Sequence, residues 1–104
     1  MDFKQMYQEK LVSAEKAASV IKSGDWVDYG WTTATPVAVD KAIAKRLPEL
    51  TDVNFRGGIL MWVPEIFKIE NPAEHMTWNS WHMGGIESKS DRAGLQLLCS
   101  DPLL

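Results

Sequence analysis

Cysteine is almost missing: Cys99 is the only one in 104 residues. An internal disulfide is therefore impossible, and a cysteine-built zinc site is excluded with it. Long apolar runs are missing too. The longest, Ile59-Leu60-Met61-Trp62-Val63-Pro64, falls far short of the roughly 20 residues a membrane helix needs. Neither a phosphate-binding Gly-x-x-x-x-Gly-Lys-Ser/Thr loop nor a Gly-x-Gly-x-x-Gly turn occurs, so nucleotide binding by those routes has no support. Charge of one sign is scarce. The net charge is −3 with acids and bases interspersed, which argues against a nucleic-acid partner, since a basic stripe would be its first sign. The opening Met1-Asp2-Phe3-Lys4-Gln5 has neither the basic segment nor the apolar core of a secretory signal. His75 and His82 stand in different segments with no third donor on a shared face, so no metal site is expected. The expectation is a reduced, soluble, cytoplasmic chain.

Against these absences stand five tryptophans. A domain of this length buries only roughly 65% of its unfolded surface, so that many indoles are hard to hide. Hydrophobic residues make up 45% and charged ones 24%, a globular balance that argues against wholesale disorder.

Punctuation by Gly and Pro divides the chain. Residues 3–10 read as a short polar helix. Ser13 is a good N-cap, and Ala14, Ala17, Ala18 and Ile21 share a helical face until Ser23-Gly24. Asp25 to Gly30, aromatic and β-branched, reads as a strand near 25–29. A loop over 30–36 leads to a helix, with Thr35 placed to cap it and Pro36 suited to its first position. Val39, Ala42, Ile43 and Leu47 repeat on one face as far as Pro48. A second strand is expected near 53–56, short helices opening at Pro64 and Pro72, and a third strand near 77–82. Alternating helices and strands indicate an α/β fold with a largely parallel sheet.

The loop at 30–36 is the best candidate site. It joins a strand's C-terminal end to a helix start, where open α/β sheets collect ligands. Gly30, Thr32, Thr33 and Thr35 offer backbone amides and hydroxyls to an anion or oxyanion. The alternative is an ordinary capped turn. Glu65, Glu70, Glu74 and Glu87 are scattered, and each is expected to be solvated.

Four blocks then point to a family. Residues 7–13 (YQEKLVS), 25–36 (DWVDYGWTTATP), 56–65 (RGGILMWVPE) and 77–85 (TWNSWHMGG), in that order, resemble the start of the acetyl-CoA hydrolase/transferase family. Butyryl-CoA:acetate and 4-hydroxybutyrate CoA-transferases are its most similar members. The resemblance implies a three-layer α/β/α, NagB/RpiA/CoA-transferase-like fold, present here incompletely. It also implies ping-pong transfer of coenzyme A, a substrate and not a cofactor, between an acyl-CoA and a short-chain carboxylate through a glutamyl-CoA thioester. The glutamate and the main CoA-binding loops belong to a second domain, and no position of this sequence matches them. An intact member is expected to be a homo-oligomer.

The resemblance covers residues 1–87, and residues 88–104 depart from it. One permitted set of codons from Glu87 onward, read one base later, encodes RAKVIAQGFNYYAPIRY, which resembles the family's next helix and strand. A frame-shifted ending over 88–104 is therefore expected, with no sustained helical pattern, weak order and an uncovered sheet edge that favours aggregation. Two functions follow: a piece of a CoA-transferase, or a non-catalytic remnant with at most a binding or assembly role.

Overall fold

The computed structural model describes residues 1–92 and 97–99, with side chains through residue 90. Helix α1 (Phe3–Lys10) is capped by Asp2, whose Oδ1 accepts from the Gln5 amide at 3.1 Å, and it buries none of its residues. Helix α2 (Ala14–Ala18) starts as expected, with Ser13 Oγ accepting from the Lys16 amide at 3.1 Å. It stops well before Ser23, however. The Ser19 hydroxyl donates back to the Lys16 carbonyl at 2.6 Å, a local bond that competes with helix continuation. Ile21 still reaches the core, carried there by a turn.

Strands β1 (Trp26–Trp31), β2 (Val53–Gly58) and β3 (Met76–Ser80) form the sheet with β4 (Leu97–Cys99), in the order β1-β2-β3-β4. Every neighbouring pair is parallel. The first two strands run longer than the residue pattern indicates, and β3 starts and ends earlier. Helix α3 (Val37–Arg46) crosses from β1 to β2, and short 3-10 helices follow at Leu47–Glu49, Glu65–Lys68 and Pro72–Glu74. The last two open at Pro64 and Pro72 as the prolines suggest.

Helix α4 (Gly85–Arg92) and β4 lie partly or wholly within the segment read as lacking a sustained pattern. That reading is corrected where the backbone is described, because α4 is started by residues before the tail. Its first turn is tied to β3 by Glu87, as described below. Expectations about residues 93–96 and 100–104 lie outside the described residues.

One face of the sheet carries the core. Tyr29, Phe55 and Trp78 stack edge-on at 5.5 and 5.7 Å, and Phe67 meets Trp78 at 5.3 Å. Ile43, Leu47 and Ile66 close over them from α3 and the 3-10 helices. Arg46 fastens α3 to the end of α2 by donating to the carbonyls of Ala18 and Ile21. On the other face, Trp26 and Asp28 are exposed and Arg56 is only half-buried. Among the described residues, two layers of the three-layer α/β/α arrangement are thus in place.

Candidate functional site at the strand ends

The C-terminal ends of β1, β2 and β3 lie side by side. Gly30 to Thr33, Gly57 to Leu60 and Trp81 to Gly84 form a rim there. Cross-strand bonds continue past the strands: the Trp81 amide donates to the Gly57 carbonyl at 2.9 Å, and the Ile59 amide to the His82 carbonyl at 3.2 Å. The rim backbone is strained. Thr32 and Ile59 hold φ of 48° and 46°, and a β-branched residue in the left-handed region is a genuine outlier. Such strain persists only where the surroundings impose it, and it concentrates at functional sites.

Two glycines make this crowding possible. A methyl on Gly57 would lie 2.8 Å from two ring atoms of Trp78 and 3.1 Å from the Gly30 carbonyl. A methyl on Gly58 would meet the Trp31 ring at 3.1 Å. Adjacent glycines therefore admit one indole on each face of the sheet. Between Asp28 and Trp31 the β1 register shifts, and Gly30, at φ 74°, takes the bend.

The four residues expected at the site do not play equal parts. Gly30 and Thr32 are half-buried on the rim, and Thr33 is exposed there. Thr35 is buried, and its hydroxyl donates to the Thr32 carbonyl at 3.0 Å. It does not cap α3 as expected. Pro36 occupies the N-cap position, with no side-chain cap bond, because the Thr35 hydroxyl is already used to close the 3-10 turn at Thr32–Ala34. Thr35 thus supports the loop that presents Thr32 and Thr33.

Two carboxylates hold this rim from below. Asp40 is buried and accepts from the Tyr29 hydroxyl at 2.9 Å and from the Glu65 and Ile66 amides at 2.7 and 3.4 Å. It joins β1, α3 and the 3-10 helix at 65–68. Burial first, then the Asp40 charge, push the Tyr29 phenol far above its ordinary range. Glu87 corrects the expectation of a solvated side chain, since it is fully buried. Its Oε1 accepts from Trp78 Nε1 at 3.1 Å and Ser80 Oγ at 2.8 Å, and its Oε2 accepts from the Gly84 amide at 2.6 Å. With the Ser88 amide bonded to the Gly84 carbonyl, this is half of a capping box with glycine as the cap. The other three glutamates remain half-buried or exposed.

The sequence held signals for both carboxylates. Asp40 stands on the helical stripe with Ile43 and Leu47, and Gly84-x-x-Glu87 has capping-box spacing. His75 and His82 are not brought together: His75 Nδ1 lies 2.8 Å from the Leu50 carbonyl, and His82 is exposed on the rim. A shallow basic groove of about 430 Å³, lined by Lys41, Lys45, Lys68 and Glu65 among others, lies along α3 and not at the rim.

A parallel α/β sheet with a strained rim at its strand ends places this domain in the class of open α/β folds, whose ligands as a rule collect outside the strands' carboxyl ends. The chain belongs to the acetyl-CoA hydrolase/transferase family, matching its N-terminal domain over residues 1–83. It is 60% identical over 94 residues to the butyryl-CoA:acetate CoA-transferase of Anaerostipes caccae, covering 90% of this chain and 21% of that protein. It is 42% identical over 83 residues to a probable butyrate:acetyl-CoA coenzyme A-transferase of Syntrophomonas wolfei, covering 80% of this chain and 19% of that one. The chain thus spans about a fifth of the length of these relatives. The crystal structure of RipA from Yersinia pestis superposes with a TM-score of 0.77 at 23% identity, over 97% of this chain and 26% of RipA.

Proposed function

We propose that this chain is the N-terminal part of a CoA-transferase that moves coenzyme A between an acyl-CoA and a short-chain carboxylate of the acetate, butyrate or 4-hydroxybutyrate class. The observation that carries this reading is the 60% identity to a butyryl-CoA:acetate CoA-transferase over 90% of the chain. The rim at Gly30, Thr32 and Thr33 faces the substrate, with Thr35 beneath it. The Thr32 and Thr33 hydroxyls suit an oxyanion as a thioester carbonyl is attacked, whereas the Gly30 amide is already committed to Asp28 Oδ1. The attacking group is a glutamate outside these residues: it displaces CoA thiolate from the acyl-CoA to give a mixed anhydride, and the thiolate then attacks the glutamyl carbonyl, releasing the acyl group as its carboxylate and leaving a glutamyl-CoA thioester. Glu87 is not that nucleophile, because three donors occupy its oxygens and no solvent reaches it. Residues 1–87 form the family portion in this reading, and residues 88–104 are a divergent ending.

The test is CoA exchange between butyryl-CoA and labelled acetate. The chain alone is expected to show none, since a placed nucleophile accounts for many powers of ten in rate. A chimera carrying this chain's matched segment in the Anaerostipes enzyme is expected to turn over. Thr33→Val in that chimera is expected to lower kcat/KM by roughly tenfold, one hydrogen bond's worth. A folded chimera without turnover would overturn the assignment, as would activity of the isolated chain.

A further inference from the structure

The two histidines flank β3 and are used differently. His75 precedes the strand, and its ring is spent on the Leu50 carbonyl, 2.8 Å from Nδ1. His82 follows the strand on the rim and is exposed. Its imidazole makes no hydrogen bond or ion pair among the described residues.

The His82 backbone, by contrast, is bonded on both sides. Its amide donates to Ser80 Oγ at 3.2 Å, and its carbonyl accepts from the Ile59 amide at 3.2 Å. The Ser80 hydroxyl donates in turn to Glu87 Oε1 at 2.8 Å, while Glu87 Oε2 accepts from the Gly84 amide at 2.6 Å. The Trp81 amide is held by the Gly57 carbonyl at 2.9 Å. Burying a carboxylate is costly even when donors surround it, and Ile59, at φ 46°, adds backbone strain. These costs fix a loop whose exposed imidazole returns no bond to the fold. A polar tip on a rigid backbone, set where open α/β sheets collect ligands, is the arrangement of a ligand-contacting residue.

We propose that His82 contacts the substrate of the CoA-transfer reaction, its imidazole N–H donating to a carboxylate oxygen of the short-chain acid, and that Glu87 is the positioning residue that fixes His82 through Ser80 and Gly84. The inference deepens the functional reading above and rests on it. An imidazole keeps an N–H donor whether neutral or charged, so it serves the acid in either state. The acid is also the substrate most sensitive to one donor. Acetate offers only a carboxylate and a methyl group, whereas an acyl-CoA has a pantetheine arm and a nucleotide as further handles. Loss of His82 therefore shows in the KM for acetate and not in that for butyryl-CoA.

The experiment measures CoA exchange in the chimera with the Anaerostipes enzyme, varying acetate and butyryl-CoA in turn. His82→Leu is expected to raise the KM for acetate by roughly tenfold, one charge-assisted hydrogen bond's worth, and to leave that for butyryl-CoA within about twofold. Its unfolding midpoint is expected to stay within about 2 °C of the parent's, as for other exposed substitutions. His82→Gln, which keeps an N–H donor, is expected to bring the acetate KM back to within about threefold of the parent's. Glu87→Gln is expected to raise the acetate KM by about threefold and to lower the midpoint. Added to His82→Leu, it is expected to lower the midpoint again but to raise the KM no further. A second readout needs no turnover. Diethyl pyrocarbonate modifies accessible imidazoles, and mass spectrometry follows His82 directly. Saturating butyryl-CoA with acetate is expected to slow that modification by about fivefold or more, since protection scales with occupancy.

An unchanged acetate KM in His82→Leu overturns the contact. So does a loss of kcat that comes with a lowered midpoint and unaltered KM values, which is the mark of a structural role. Equal modification with and without substrate overturns it too. A KM effect of Glu87→Gln that persists in full on top of His82→Leu overturns the positioning role. A folded parent chimera that exchanges no CoA removes the functional reading, and the His82 contact then stands or falls on protection by butyryl-CoA. A chimera that does not fold counts against both.

Discussion

The two faces of this sheet use the same residue types to opposite ends. On the inner face, Trp78 is fully buried, with its indole nitrogen bonded to Glu87 and its ring against Gly57. On the outer face, Trp26, Trp31 and Trp81 are open, and Arg56 is paired with Asp28 across two solvent-exposed side chains. The inner polar groups are closed by three-donor carboxylates, whereas the outer Asp28–Arg56 pair stands in solvent. Burying a polar atom is tolerable only with a partner, and among the described residues no buried side-chain polar atom lacks one. Aromatic content alone therefore tells nothing about role. Roles follow from what each indole's polar edge and flat face meet.

The sharpest way to break this comparison is to truncate one indole from each face of the isolated chain. Trp78→Ala should cost about 3–5 kcal/mol, enough to unfold a small domain, while Trp26→Ala should change stability by about 0.5 kcal/mol or less. Urea denaturation followed by far-ultraviolet circular dichroism measures both, and similar losses would erase the distinction between the faces.

The paired glycines sharpen it next. Gly57→Ala drives a methyl into a buried indole and a carbonyl, and should cost about 1–3 kcal/mol. Gly58→Ala should cost clearly less, because the Trp31 ring it meets is partly exposed and can swing away. Glu87→Gln should also cost about 1–3 kcal/mol, since its amide NH2 must face one of three donors that now meet a carboxylate. Glu65→Gln, at an exposed pair with Lys68, should cost at most about 0.5 kcal/mol.

Alkaline titration tests the inner face without cavities. The Tyr29 phenol is raised by burial and then by Asp40. Its stabilisation is thus fully present below the unfolded phenol value of about 10 and declines as pH rises above that. The denaturation midpoint should fall beyond about pH 10, and Tyr29→Phe should flatten that part of the fall. The smallest effect belongs outside. The Gly30 amide and then Arg56 hold the Asp28 carboxyl below its ordinary range. Its contribution is present above the ordinary carboxylate value and is lost as pH falls through the lowered one. Asp28→Asn should therefore cost less than about 1 kcal/mol near neutral pH, and less still in high salt.

Much of the inner architecture was legible in the residues. The stripe at Val39, Ala42, Ile43 and Leu47 with Pro36 and Pro48 marked the β1–β2 crossover, and Pro64 and Pro72 marked the short helices between β2 and β3, because periodicity and missing amides act locally. Ser13 was legible as a cap for the same reason. The early end of α2 was not, since Ser19 turns back on a carbonyl that is equally available to a longer helix. Thr35 misled for a related reason: one hydroxyl stood near two turns, and the sequence does not rank them.

The strand-end rim was visible only as a loop at 30–36. Its other two walls, Gly57 to Leu60 and Trp81 to Gly84, come together because β2 and β3 pair in parallel beside β1. That register is a long-range choice. The same holds for Glu87, whose spacing from Gly84 hinted at a cap but not at bonds to Trp78 and Ser80.

By itself, then, the sequence determined what short-range physics governs: helix stripes, proline boundaries, the glycine pairs, and the aromatic blocks that mark the family. Tertiary structure alone decided which carboxylates are buried, which indoles are sealed or left open, and which strand ends share a rim. Those outcomes depend on which sheet face meets the helices, and a pattern alternating every second residue leaves that choice open until the strands pair and one face loses its water.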